Sequence, residues 1–210
     1  SILIMIDLGM IAAGTGSRLK SEGIKSSKPM IKINGTPLIQ RIIDIASKNG
    51  VKSISCIINE NSNDLKDFLL NNKFSPRINT IIKSTESSLH SLYELNKKIT
   101  SPFLLTTADS VFLQHEFVSF IDVAINIKGA DGVFAVTDFI DDEKPLYVSI
   151  DNNMRIVDFY DENNNFKFVS GGMYFFKKSI KNEVEDAVKS GIFKLRNFQR
   201  YLISKGYKLY

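Results

Sequence analysis

Gly9-Met10-Ile11-Ala12-Ala13-Gly14-Thr15-Gly16-Ser17-Arg18-Leu19 joins an apolar run over residues 4–12 to a loop of small residues and glycines. A strand that ends this way exposes backbone N–H groups, and these approach phosphate oxygens closely because no side chain intervenes. Arg18 adds a planar cationic fork suited to phosphate. Lys28, further along the same loop, is a second cation that a folded-back chain brings to the same anion. Displacement at a nucleotide α-phosphorus builds charge on several oxygens, and two cations answer that need. Two familiar phosphate loops are excluded. Gly9 and Gly14 have the P-loop spacing, but Thr15 stands where lysine is required; Gly14 and Gly16 open a dinucleotide fingerprint, but Leu19 replaces its third glycine. A tight strand-to-loop turn without a ligand remains the alternative for the glycines alone.

Outward from this loop the segments alternate. Residues 37–49 place Leu38, Ile42, Ile43, Ile45 and Ala46 at helical spacing, and Asn49-Gly50 stops the helix. Residues 51–58 read as a strand, 62–72 as a helix, 78–83 as a strand, 87–99 as a helix and 103–107 as an apolar strand. Strand and helix alternate three times before that fourth strand, which argues for a parallel sheet with helices on both faces. Further on, 132–138, 145–151, 154–159 and 172–177 are strand-like, with Asp151-Asn152-Asn153 as a turn and Asn163-Asn164-Asn165 as a polar loop. Helices return at 179–189 and 194–204, and the final YKLY reads as the start of a strand. The expectation is one α/β domain over residues 1–210. Its sheet is Rossmann-like and mostly parallel, becoming mixed in the C-terminal half.

Composition narrows the function classes. Of 210 residues, 43% are hydrophobic and 24% charged, and 27 Lys+Arg against 23 Asp+Glu give a net charge of +4. The lysines are scattered and no basic cluster is interleaved with aromatics, so a nucleic-acid groove is not expected. No apolar run is long enough to cross a bilayer. The lone Cys56, in SISCII, suits a strand core and a reducing cytoplasm rather than a nucleophile.

Asp109 follows the 103–107 strand in LLTTADSVF. In open α/β sheets the carboxyl ends of strands face the ligand crevice. A carboxylate there, beside a triphosphate, is a natural Mg2+ ligand, because that ion needs one or two carboxylates and takes its other ligands from substrate and water. A turn or N-cap aspartate is the alternative at such a place.

AAGTGSRL followed by KPMIKINGTPLI resembles the signature of the nucleotide-sugar pyrophosphorylase-like nucleotidyltransferases. The likeness includes Gly14, Gly16, Gly35, Pro29 and Pro37 besides the two cations. It implies that the backbone of Ala12, Ala13, Gly14, Thr15, Gly16, Ser17 and Arg18 cradles the nucleotide, and that Arg18 and Lys28 stabilise the triphosphate and the transition state. It implies that Asp109 binds the metal, and that Ser87 and Ser88, in STESSLHSLY, stand where the family contacts the nucleobase. Gly171 and Gly172, in SGGMYF, resemble the strand that lies against the acceptor, and Glu162 stands near the family's sugar-binding glutamate. The lysine and proline that usually follow that glutamate are missing here. A second metal-binding aspartate is not identified before Tyr210; Asp158 and Asp161 are the alternatives within the chain. His90 is expected to be a helix-surface or partly packed residue rather than a catalytic one, since the attacking phosphate is already ionised and needs no general base.

The activity implied is transfer of a nucleoside monophosphate from a triphosphate to a small phosphorylated acceptor, a sugar 1-phosphate first, with release of pyrophosphate. The serine-rich helix start also resembles the cytidylyltransferase branch that activates phosphocholine or another alcohol phosphate. A nucleotide-binding regulatory module without catalysis is the reading from a different class, and a homo-oligomer is compatible with each.

Overall fold

The computed structural model describes residues 5–14, 26–140 and 144–210. Its central strand is β1 (Ile6–Ala12). Ile6, Leu8, Met10 and Ala12 face one core and Ile11 faces the other. Both faces are covered, so the strand reads as a continuous apolar run.

A single 3-10 turn at Lys28–Met30 leads into a short hairpin of β2 (Lys32–Ile33) and β3 (Thr36–Pro37). Its turn residues Asn34 and Gly35 both have positive φ, 50° and 81°, the pairing a two-residue hairpin favours. Then come α1 (Leu38–Lys48), β4 (Val51–Ile58), α2 (Asn63–Asn71), β5 (Ile78–Ile82), α3 (Ser88–Leu95) and β6 (Phe103–Thr107). β1 pairs in parallel with β4 on one flank and β6 on the other, and β4 pairs with β5. The chain therefore travels outward from β1 to β5 and crosses back to β6. A crevice opens where the direction of travel reverses, outside the carboxyl ends of β1 and β6.

The second half adds α4 (Gln114–Asn126), β7 (Gly132–Thr137), β8 (Tyr147–Ile150), β9 (Ile156–Tyr160), β10 (Phe168–Phe176), α5 (Lys181–Lys189) and α6 (Leu195–Ser204). β10 runs antiparallel to β6 and β7 and, at its start, to β8. In the β8–β9 hairpin the Asp151 carboxylate accepts the Asn153 and Arg155 N–H groups at 2.8 and 2.9 Å. Leu209 bridges in parallel to Gly132, and its carbonyl accepts the Ile156 N–H at 2.8 Å. The last residues thus lie between β7 and β9, and the pairings form a ring from β7 through β10, β8 and β9 back to β7. Residues of α1, α2 and α4 fill one core; residues of α3, α5 and α6 fill the other.

The α/β class, the parallel half and the mixed C-terminal half match the sequence expectation. Helix α4 was not foreseen. It buries Phe117, Ile121 and Ala124 but leaves Val118 and Val123 exposed, so its apolar residues surround it and blur the period. Its N-cap is Leu113, whose N–H is taken by the Glu116 carboxylate at 2.7 Å. Strand β10 begins at Phe168, earlier than expected, because Gly171 and Gly172 bulge within it rather than starting it.

Candidate functional site

β1 ends at Ala12, and Ala13 and Gly14 continue beyond the sheet edge. Ile11 to Gly14 line a cavity of ≈ 360 Å³ that also takes in Lys28, Asp109 and the stretch Thr85–Ser88. The glycines here have different physical roles. A Cβ on Gly9 would lie 2.8 Å from Ile99 Cδ1, so that residue is set by packing, whereas a Cβ on Gly14 would meet nothing within 4 Å among the described residues. Gly14 therefore leaves open space at the cavity wall. Ala12, Ala13 and Gly14 are thus brought to one cavity wall with Lys28 and Asp109. Thr15, Gly16, Ser17 and Arg18 lie outside the described residues.

Lys28 and Asp109 are brought together: Nζ lies 2.5 Å from Oδ2, with the side chains 57% and 29% exposed. An ion pair this open to water contributes little to stability, so its placement is of more interest than its strength. Asp109 follows Ala108, whose N–H donates to the Ile11 carbonyl at 3.0 Å. That bond ties the end of β6 to the end of β1 and sets the carboxylate at the mouth of the crevice.

Ser87 and Ser88 line this cavity and a second, larger one. Their hydroxyls are already engaged. Ser87 caps α3 by accepting the His90 N–H at 3.5 Å, and it donates to the Phe193 carbonyl. Ser88 Oγ accepts the Leu195 N–H at 2.9 Å. His90 packs on the Phe193 ring, centroid to centroid 5.4 Å.

The second cavity, ≈ 960 Å³, shares Lys28, Glu86, Ser87, Ser88 and Thr107 with the first. Gly171 and Gly172 form part of its lining. Gly172 has φ +74°, and a Cβ there would fall 2.9 Å from Ser110 Oγ; one on Gly171 would fall 3.1 Å from the Ala135 carbonyl. Glu162 is exposed in the loop after β9 and is not among the residues lining either cavity. The structure does not bring it to the others.

Neither candidate for a second metal aspartate, Asp158 or Asp161, is among the residues lining the two cavities. Asp161 holds Arg196 Nη1 and Arg200 Nη2, each at 2.9 Å. What burial it has raises its pKa, but the two guanidinium partners outweigh this and keep it below the usual carboxylate range. Asp158 Oδ1 accepts the Phe159 N–H at 2.8 Å. Among the described residues, no three His, Cys, Asp or Glu side chains cluster as a metal site would need. Asp109 and Glu86 are the carboxylates that line the smaller cavity among the described residues, and so few hard oxygen donors suit an ion that takes most of its ligands from substrate and water, as Mg2+ does.

Sequence reading missed the polar wall of the larger cavity. Ser170 Oγ and Tyr174 Oη lie 3.2 Å apart, and Gln199 Nε2 donates to Tyr174 Oη at 3.4 Å. Burial raises the Tyr174 pKa more than these bonds lower it, so the phenol stays protonated. Gln199 is 2% exposed, and its Oε1 has no hydrogen-bond partner among the described residues. The signal was present: Gln199 is a polar residue on the buried face that Leu195, Phe198 and Leu202 give α6. Cys56 is buried in β4, which pushes its thiol up to about 12; it is a core residue, as expected.

A family model described as Nucleotidyl transferase matches residues 9–210. A curated relative from Thermococcus kodakarensis, named Bifunctional IPC transferase and DIPP synthase, is 25% identical over 148 residues. That match covers 70% of this chain but spans only 30% of the relative's length. The fold is similar to that of an inositol-1-phosphate CTP transferase from T. maritima, with TM-score 0.81 and 20% identity over 98% of this chain and 84% of that one. It is also similar to a UDP-glucose pyrophosphorylase complexed with UDP-glucose, with TM-score 0.80 and 15% identity over 99% of this chain and 90% of that one.

Proposed function

Because the chain belongs to the nucleotidyl transferase family, we propose that it moves a nucleoside monophosphate from a nucleoside triphosphate onto a sugar 1-phosphate and releases pyrophosphate. In this reading residues 1–210 act as one nucleotidyltransferase domain in the cytoplasm. The supporting observation is the pair of abutting cavities that share Lys28, Glu86, Ser87, Ser88 and Thr107. A two-substrate displacement needs the attacking and leaving groups to meet at a common boundary.

The nucleotide occupies the smaller cavity, along the Ala12–Gly14 backbone, and the acceptor occupies the larger one against Gly171 and Gly172. An acceptor phosphate oxygen attacks the α-phosphorus, a new P–O bond forms, and the bond to the bridging oxygen of pyrophosphate breaks. The attacking oxygen is already ionised, so no side chain has to remove a proton. Lys28 sits at the shared boundary and offsets charge as it builds on the phosphate oxygens, and Arg18 is assigned the same task. Asp109 would hold Mg2+, which supplies further neutralisation of the triphosphate. The protonated Tyr174 and the Gln199 amide give the acceptor wall hydrogen-bonding capacity suited to a hydroxyl-rich ring.

A second reading, transfer of cytidylate to inositol 1-phosphate or another alcohol phosphate, is favoured by the activities for which the Thermococcus kodakarensis and T. maritima proteins are named. One experiment separates these. Four nucleoside triphosphates are crossed with glucose 1-phosphate, other sugar phosphates, inositol 1-phosphate and phosphocholine, with Mg2+ present, and pyrophosphate release is measured. Release with a sugar phosphate supports the first reading and release with an alcohol phosphate alone supports the second. If no pair releases pyrophosphate, transfer to these acceptors is ruled out.

A further inference from the structure

The turn that carries Lys28 is fastened to a different part of the molecule. Ser27, just before it, donates its backbone N–H to Asp64 Oδ2 at 2.8 Å and its hydroxyl to Asp64 Oδ1 at 2.5 Å. Both carboxylate oxygens are thus spent on one residue, 37 positions away in sequence. Asp64 lies in the first turn of α2, where its Oδ1 also accepts the Leu65 N–H at 2.9 Å. A negative charge is favoured there by the helix dipole, which holds the carboxylate in place. On the other side of Ser27 the turn is closed by its own bonds: the Met30 N–H donates to the Ser27 carbonyl at 2.8 Å and the Ile31 N–H to the Lys28 carbonyl at 3.1 Å. Pro29 is buried beneath. Ser27 is therefore the hinge pin of this turn, and Asp64 is what it is pinned to.

Lys28 itself is long, largely exposed and, among the described residues, held at its tip by Asp109. A side chain with that freedom delivers its charge accurately only if its backbone is fixed. We propose that Asp64 is a positioning residue for the transfer reaction, acting through Ser27 to hold Lys28 at the boundary of the two cavities. The inference rests on the assignment of Lys28 to the reaction made above. Asp64 touches no substrate; it lines neither cavity. The charge-assisted bonds from Ser27 hold its pKa down against the upward push of burial, so it remains an acceptor at neutral pH.

The test uses the full chain and four substitutions, Asp64→Ala, Asp64→Asn, Ser27→Ala and Lys28→Ala, together with the Asp64→Ala/Lys28→Ala double variant. Turnover is read as pyrophosphate release with CTP plus inositol 1-phosphate and UTP plus glucose 1-phosphate. Asp64→Ala is expected to lower kcat roughly 10- to 100-fold, the scale of a misplaced reacting group, with little change in acceptor KM. Asp64→Asn keeps one acceptor oxygen and should recover part of the loss. In the Lys28→Ala background, Asp64→Ala should cost less than about twofold, because its effect runs through the missing ammonium. An equal loss in both backgrounds, or parent-like turnover of Asp64→Ala, overturns the proposal.

Amide hydrogen exchange supplies a readout independent of activity. Exchange at Ser27, Met30 and Ile31 should rise in Asp64→Ala and less in Asp64→Asn, and unchanged exchange overturns the clamp even if the parent uses neither substrate pair. A parent that releases no pyrophosphate with either pair, yet shows the exchange change, sinks its use of these two pairs and leaves the clamp standing.

Discussion

At Lys28 and Asp109 two opposite charges already neutralise each other at the mouth of the crevice. Each has a separable effect. Asp109→Asn keeps the shape and removes the charge; it should melt within about 1 kcal/mol of the parent, as expected for an exposed pair, yet lose most turnover. Titrating Mg2+ into each protein in the presence of nucleotide checks the same point, with weaker ion binding expected for the variant. Parent-like turnover would remove Asp109 from the metal role. Lys28→Ala should lower kcat by roughly 10²-fold, the scale seen when one preorganised charge is removed, and steady-state kinetics decide it. Asp64 gives the pH dependence. Its pKa is lowered on folding, so its contribution is present above the unfolded carboxylate value and fades as pH falls through the lower folded value. The melting-temperature gap between parent and Asp64→Asn should be full at neutral pH and shrink below about pH 4.

Among elements, β10 carries the most specific constraint. Gly172 combines φ +74° with a Cβ position only 2.9 Å from Ser110 Oγ. Gly172→Ala should destabilise the protein by about 1–2 kcal/mol from the left-handed backbone alone and raise acceptor KM, because the bulge lines the larger cavity. Adding Ser110→Ala relieves the contact but not the backbone, so only part of the loss should return in a thermal melt. Elements also show where the sequence was legible. β1, β4 and β6 were readable because both of their faces are largely buried, so apolar residues dominate them despite Asp7, Lys52 and Ser53. α1 was readable because Ile39, Ile42, Ile43 and Ala46 keep one buried stripe. α4 was not, since exposed Val118 and Val123 hide the stripe made by Phe117, Ile121 and Ala124. The glycines after β1 and Asp109 after β6 were visible as local sequence patterns at strand ends. The Asp64–Ser27 clamp and the Ser170–Tyr174–Gln199 wall were not, because their partners are brought together only by tertiary packing. Glu162 looked suitable by position in sequence, but the loop after β9 turns it to solvent.

The whole molecule is two unlike halves sharing one sheet. In the proposed reaction the parallel half supplies the phosphate end of the crevice; the antiparallel half, closed into a ring by the final residues, supplies the wall opposite. Leu209 is 0% exposed and bridges to Gly132 while its carbonyl takes the Ile156 N–H. Leu209→Ala should cost about 2–5 kcal/mol, the range for truncating a fully buried leucine, measured by denaturant unfolding. A stability equal to the parent's would mean the ring does not depend on this side chain. The two halves also meet through Ser87 and Ser88, whose hydroxyls are fastened to Phe193 and Leu195. Each serine is therefore a rivet between compartments, and the seam they close borders both chambers.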